Sequence, residues 1–353
     1  MYSCLWKLRQ LRQMKGQVIF KGQDMVSTEK DIWLVVVNVF AASRKAGSVW
    51  KKAARMLDEA GVKYKAKFTG GVDNAIAISQ KAAAAGYRKF IAVGGDGTVH
   101  DVLNGIATYV YYSENEGVSL SDFYLGVLPV GSGNDWVKST FVPRDIRKAV
   151  DVISAAEFAE QDVVKVEADP SAVSYMVNIG GIGLDARVCE IVNHKKARGE
   201  RGKKLYVKAL IYCIRHREPV RAKVVADGVT VFDGKYLSMA FGVGKYSGGG
   251  MRQTPLAELG DGKVDVTIIP DIPIWKIAKE VLRLFTGTFH KVDVLTQVKC
   301  ADVSIIPYTD ADTEPAEVDG EVIGRAPVHM AVLPERIKVL VGPEFPGPKM
   351  DLR

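Results

Sequence analysis

Lys89-Phe90-Ile91-Ala92-Val93-Gly94-Gly95-Asp96-Gly97-Thr98-Val99-His100-Asp101-Val102-Leu103-Asn104-Gly105-Ile106 decides the fold. The apolar run to Val93 reads as a buried parallel strand, Phe90–Val93. The apolar spacing after the turn reads as a helix over Thr98–Tyr112. Three glycines at a strand-to-helix turn let the backbone approach a ligand closely. The helix N-terminus then directs N–H groups at an anion. Asp96 adds a carboxylate able to hold a cation or accept a proton. This combination points to phosphate chemistry.

A second turn of the same kind follows. Tyr124–Leu128 reads as the next strand and runs into Pro129-Val130-Gly131-Ser132-Gly133-Asn134-Asp135. Glycine loops at the C-terminal ends of consecutive parallel strands fall at the usual ligand position of an open α/β sheet. Further strands are expected at Ile32–Val37 and Val62–Phe68, with helices at Gly47–Ala60 and Asn74–Ala85. Gly61 and Gly86 stand where C-terminal helix caps belong. This alternation predicts a doubly wound parallel α/β domain over residues 31–155.

From Phe158 onward the pattern changes to short β-rich runs between glycine turns. They are Val163–Val166, Ser174–Ile179, Arg221–Val225, Leu237–Val243, Val264–Ile269, Val303–Ile306 and Val328–Leu333, with helices at Leu205–Arg215 and Pro273–Phe285. The expectation is an antiparallel β-sandwich domain over residues 156–334.

At these residues the chain resembles the diacylglycerol kinase catalytic family, which includes bacterial lipid kinases and the sphingosine and ceramide kinases. The family's GGDGT-x-x-E motif stands here as Gly94 to Thr98 followed by Val99, His100 and Asp101, with Asp in place of Glu. Its P-x-G-T/S-x-N-D motif is complete as Pro129, Gly131, Ser132, Asn134 and Asp135. Gly248-Gly249-Gly250-Met251, Pro255 and Asp261-Gly262-Lys263-Val264-Asp265 look like its GGGM…P-x-A…DGxLD segment, and Asp319-Gly320-Glu321 like its DGE motif. The likeness runs from Ile32 to Val341. One departure stands at Asn38-Val39-Phe40-Ala41-Ala42-Ser43-Arg44-Lys45, where the family's proline and both loop glycines are missing.

The resemblance implies two domains with a cleft between them, similar to NAD kinases and diacylglycerol kinases, and a final segment (335–353) that returns to the first domain. It implies ATP as phosphoryl donor with Mg²⁺ and a lipid acceptor. It implies nucleotide contacts at Asn38, Ser43, Lys45, Thr69, Gly94, Gly95, Asp96, Gly97, Thr98, Gly131 and Ser132. Asn134 and Asp135 are assigned to substrate or to the network between loops. Asp319 is the implied general base, with Asp96 and Glu321 near the nucleotide and its metal; Asp96 as the base stays open. A structural Mg²⁺ is implied at the Glu258 carbonyl, the Asp261 side chain and the Lys263 carbonyl, a hard cation among oxygen donors.

The chain has 353 residues and a net charge of +7. That length suits two domains with separate cores. No apolar run reaches the ~18 residues of a membrane span. Cys4, Cys189, Cys213 and Cys300 are scattered, which predicts reduced thiols and a cytoplasmic setting. From Arg187 to Lys223, twelve Lys or Arg stand against three Glu. This segment, densest from Lys195 to Lys204, reads either as a solvated face or as a dock for anionic lipid at the membrane periphery. No recognition motif supports nucleic-acid binding. A homodimer stays open. Met1 to Lys30 forms a basic extension with three open readings: a mobile tail, a lead ahead of a true start at Met25, or a basic membrane helix. Two rivals to a lipid kinase remain. One is an NAD kinase-like small-molecule kinase, which should lack the Pro129–Asp135 motif. The other is a non-catalytic nucleotide or lipid binder, suggested by the altered Asn38–Lys45 loop.

Overall fold

The computed structural model describes residues 31–41, 46–70, 74–113, 117–131, 133–170, 172–198, 200, 203–216, 218–273, 275–276 and 283–352. The extension at residues 1–30, together with Ser43, Lys45, Ser132 and most of the expected Pro273–Phe285 helix, lies outside them.

The first lobe is built on parallel strands β1 (Trp33–Val37), β2 (Tyr64–Phe68), β3 (Lys89–Gly94) and β4 (Tyr124–Pro129). Leu34 to Val37 and Phe90 to Val93 are buried almost completely, as strands covered on both faces must be. Connecting helices Ala46–Glu59, Ala75–Ala84 and Asp96–Tyr112 cover the sheet. Asn74 caps the second of these by accepting the Ala77 N–H at 2.9 Å. The register sets Val37 beside Val93 and Gly94 beside Pro129. The C-terminal ends of β1, β3 and β4 therefore open onto one edge, and both glycine turns leave from it.

Strand β5 (Glu157–Gln161) belongs to this sheet and not to the second lobe. The expected boundary after residue 155 therefore moves to Asp162-Val163. Glu157, Phe158 and Ala159 pair with later strands that come back to the same edge, and this fixes β5 there.

The second lobe contains β6 (Val164–Asp169), β7 (Ala172–Met176), β8 (Ile179–Gly183), β9 (Val220–Ala226), β10 (Val229–Gly242), β11 (Val264–Pro270), β12 (Thr296–Cys300), β13 (Asp302–Pro307), β14 (Pro315–Val318) and β15 (Glu321–Val332). All pairings are antiparallel. The long β10 pairs with β9 through its first half and with β8 and β11 through its second. The sheet thereby closes on itself around Val166, Met176, Met239, Phe241, Ile268 and Ile305. Two helices, Leu184–Ala197 and Lys203–Arg215, pack outside it. The first was not expected from the sequence, because its weak apolar periodicity hides it. After β15 the chain returns to the first sheet as β16 (Ile337–Leu340), parallel to β4, and β17 (Met350–Asp351), beside β5.

The single strand expected over Ser174–Ile179 is broken at Val177-Asn178. Their N–H groups point to a carboxylate on a distant turn instead of a ladder partner.

Gly105 sets how closely the helix Asp96–Tyr112 packs on its neighbour. A β-carbon there would lie 2.4 Å from the Ile76 carbonyl oxygen and 2.7 Å from Ser79 Cβ. Gly105→Ala should lower unfolding free energy by about 1–3 kcal/mol through overpacking. Urea denaturation followed by tryptophan fluorescence measures this, and an unchanged midpoint would refute the packing argument.

Candidate active site

Gly95 starts the helix Asp96–Tyr112 and offers no side-chain cap. The first-turn N–H groups of a helix have no intrahelical acceptor, so this end is suited to an anion. The turn admits little beyond glycine. A β-carbon on Gly94 would sit 2.1 Å from Thr98 Oγ1, and one on Gly131 would sit 2.5 Å from Gly95 Cα. The two loops thus touch backbone to backbone. The Val130 and Gly131 N–H groups both donate to the Gly94 carbonyl, at 2.8 and 3.2 Å. Gly131 therefore serves the contact between loops with the N–H expected to meet phosphate.

Asn38, at the end of β1, braces this turn. Its Nδ2 donates to Thr98 Oγ1 at 3.0 Å, its backbone N–H donates to the Val93 carbonyl, and its Oδ1 accepts from Phe40 N–H and from Thr69 Oγ1–H at 3.5 Å. Asn38, Thr69 and Thr98, all implied nucleotide contacts, are brought together by these bonds.

Asp96 Oδ1 accepts the N–H groups of Asp135 and Trp136 at 2.9 and 3.0 Å, which joins the first glycine turn to the second. Burial raises the Asp96 pKa above the usual carboxylate value, only partly offset by those N–H groups, and the charges of Asp135 and Asp319 raise it further. Asp135 reaches to the second lobe. Its Oδ2 accepts the Gly249 N–H at 2.7 Å, and its Oδ1 pairs with Lys138 at 2.5 Å. Gly248, Gly249 and Gly250 all have positive φ, so this three-residue turn needs glycine to present that N–H. Asn134 Nδ2 donates to the Gly131 carbonyl, while its buried Oδ1 has no partner among the described residues.

Asp319 comes from the Val318-Asp319-Gly320-Glu321 turn between β14 and β15, with φ of 52°. Its Oδ1 accepts Asn178 N–H at 2.9 Å, and its Oδ2 accepts Val177 N–H at 3.1 Å and meets His100 Nδ1 at 3.0 Å. His100 lies one turn into the helix that starts at Asp96. Asp319, the expected base, therefore meets the helix that the first glycine turn starts, although 219 positions separate it from His100. Glu321 is exposed, and its Oε1 lies 3.4 Å from where a Gly97 β-carbon would stand.

Three participants escaped the sequence reading. His100 is buried; burial pulls its pKa down, but the Asp319 bond and charge outweigh this and the net shift is upward. Asn104, one helical turn on, fixes the face by donating to the His100 and Tyr175 carbonyls at 2.8 and 2.9 Å. The i, i+4 spacing of His100 and Asn104 is the signal that would have found them. Glu317 is buried with its pKa well above normal, chiefly by burial, and its Oε2 accepts the Gly320 N–H at 2.7 Å. It shapes the turn that carries Asp319.

The expected Mg²⁺ position does not fit a metal. Asp261 Oδ1 accepts the Lys263 N–H, and its Oδ2 is 2.7 Å from the Lys299 ammonium, which also reaches Glu258. No group of three or more Asp, Glu, His or Cys among the described residues could hold a metal ion.

Residues 32–166 match the diacylglycerol kinase catalytic domain, and residues 178–341 match the YegS C-terminal NAD kinase beta sandwich-like domain. The Bacillus subtilis (strain 168) protein YtlR is 24% identical over 329 residues, covering 87% of this chain and 98% of that protein. The diacylglycerol kinase of Staphylococcus carnosus is 26% identical over 289 residues, covering 80% of this chain and 86% of that protein. A crystal structure of a diacylglycerol kinase from Bacillus anthracis shares the fold, with a TM-score of 0.67 and 20% identity over 89% of this chain and 98% of that one.

Asp101 makes the site's electrostatics testable. Burial pushes its pKa up to about 6, with His100 opposing and Glu321 adding to the shift. The folded value exceeds the ordinary value near ~3.9, so the protonated form favours folding. Its contribution to stability is complete at low pH and is lost as pH rises through about 6. Asp101→Asn should therefore lose less stability than the parent between about pH 4 and pH 6.5. Urea midpoints across that range measure it, and parallel profiles would refute the shift.

Proposed function

The chain belongs to the diacylglycerol kinase catalytic family, and from that premise we propose that it is an ATP-dependent lipid kinase acting on a hydroxyl of a diacylglycerol-like or sphingoid lipid. One observation carries the reading. The carboxylate on the second lobe's Asp-Gly-Glu turn meets the helix of the first glycine turn, with Asp319 on His100 and Glu321 beside Gly97.

Phosphoryl transfer asks the protein to position the phosphoryl group and offset its charge. In the proposal, Mg·ATP places its phosphates at the helix N-terminus over Gly95–Gly97, with Asn38 and Thr98 holding the turn. Asp96 and Glu321 would be the residues to hold the nucleotide's Mg²⁺, which would offset the charge of the phosphates. The buried, unpartnered Asn134 Oδ1 suits a donor from substrate or an ordered water, since buried acceptors ordinarily have partners. Asp319 takes the acceptor hydroxyl's proton. A carboxylate has about four lone-pair sites, and three are occupied by Val177 N–H, Asn178 N–H and His100. The remaining capacity is on Oδ1. Asp96 is the second candidate, because its own bonds fall on Oδ1 and its Oδ2 faces Gly133.

Contact with an anionic membrane surface is part of the same proposal. On the helix Lys203–Arg215, exposed Ile211 and Tyr212 lie among exposed Lys208 and Arg215. Apolar and basic groups on one surface suit the lipid interface. No helix of the described residues is long and apolar enough to cross a membrane.

The wild-type chain should transfer ³²P from γ-labelled ATP to at least one member of a panel of diacylglycerols, ceramides and sphingoid bases, read by chromatography. Asp319→Asn should lower the rate by at least about a hundredfold, the usual scale of general-base loss, while ATP binding by calorimetry stays near the parent value. Retained turnover in folded Asp319→Asn, with loss in Asp96→Asn, would transfer the base role to Asp96. Neutralising Lys195, Lys196, Lys203 and Lys204 together should weaken sedimentation with anionic vesicles while sparing activity on detergent-dispersed lipid. Unchanged sedimentation would return that segment to a solvated face.

A further inference from the structure

We propose that the Lys299 ammonium is the counter-cation of the Glu258, Asp261 and Asp265 carboxylates, in the place where the family resemblance implies a divalent metal. The strand register puts it there. Lys299 on β12 stands directly opposite Asp265 on β11, in an antiparallel pair at the edge of the sheet. Facing residues of opposite charge are the stabilising unit of such a pair. From that position the ammonium lies 2.7 Å from Asp261 Oδ2, 3.2 Å from Glu258 Oε1 and 3.7 Å from Asp265 Oδ2. Asp265 is buried, and its Oδ2 has no hydrogen-bond partner among the described residues. The lysine's charge is the compensation it receives.

The turn is also shaped without a metal. Asp261 Oδ1 accepts the Lys263 N–H at 3.0 Å, closing the Asp-Gly turn in which Gly262 has φ of 73°. Asp162, buried at the crossing between lobes, accepts the Gly262 N–H on Oδ2 at 2.6 Å and Arg336 Nε–H on Oδ1 at 2.8 Å. Its own N–H donates to the Leu259 carbonyl at 2.6 Å. These bonds orient the loop, and Lys299 supplies the positive charge. A divalent cation on Asp261 would stand within a few ångströms of the ammonium, and their repulsion at such range is large in a partly buried setting. The lysine and the ion exclude one another.

The test uses the full chain without nucleotide, so it is independent of the kinase reading. Thermal midpoints are measured in EDTA and in millimolar MgCl₂, beside equilibrium dialysis for bound metal. The wild type should show the same midpoint in both and no stoichiometric magnesium. Lys299→Met, which keeps length and removes charge, should melt at least about 2 °C lower. Lys299→Arg should keep the wild-type midpoint and its indifference to metal. A wild-type midpoint that falls in EDTA, about one bound ion per chain, or an unchanged midpoint in Lys299→Met would each overturn the proposal.

Discussion

The Asp319 carboxylate is the constraint on which the rest of the structure depends. It takes the N–H groups of Val177 and Asn178, which interrupts what would otherwise be one strand and produces β7 and β8. It also takes His100 on the helix of the other lobe. One buried carboxylate thus terminates a strand, fixes a turn with positive φ and ties the lobes together. Charge-assisted hydrogen bonds of this kind are the strong ones, and leaving the two buried N–H groups without an acceptor would cost about 1–3 kcal/mol each. The strain of a non-glycine residue at φ 52° is held by those bonds.

Around that tie the acids divide by environment. Asp96 is engaged by two backbone N–H groups and joins the glycine turns of the first lobe. Asp135 reaches across to Gly249, so the second motif is also a bridge between lobes. Asp101 and Glu317 carry raised pKa values from burial among like charges. Carboxyl groups pushed in this way cluster at functional sites. In the proposed reading, this gathering of carboxyl groups beside the N-terminus of a helix would suit a nucleotide carrying its own divalent ion.

Much of this was legible in the sequence because it rests on local rules. A buried strand, a glycine turn and an amphipathic helix have signatures within about twenty residues, and β1 to β4 fall within two residues of their expected ends. The paired glycine turns followed from parallel order alone. The rest needed long-range contacts that periodicity cannot carry. Ser174–Ile179 looks continuous until Asp319, far along the chain, claims two of its N–H groups. β5 looks like the start of the second lobe until β16 and β17 come back to pair with it. Lys299 looks like one more charged residue on an edge strand until the register sets it opposite Asp265. His100 was visible as a letter in a motif, and only the fold gives it a partner.

A crystal structure of the chain with a non-hydrolysable ATP analogue and magnesium tests the central claim most directly. The account predicts the terminal phosphate at the helix N-terminus over Gly95–Gly97, in line with a path to the Asp319 and Asp96 carboxylates, with the bonds of Asp319 to Val177, Asn178 and His100 retained. A nucleotide seated away from both glycine turns, or an Asp319 carboxylate released from His100 and turned from the phosphate, would contradict it.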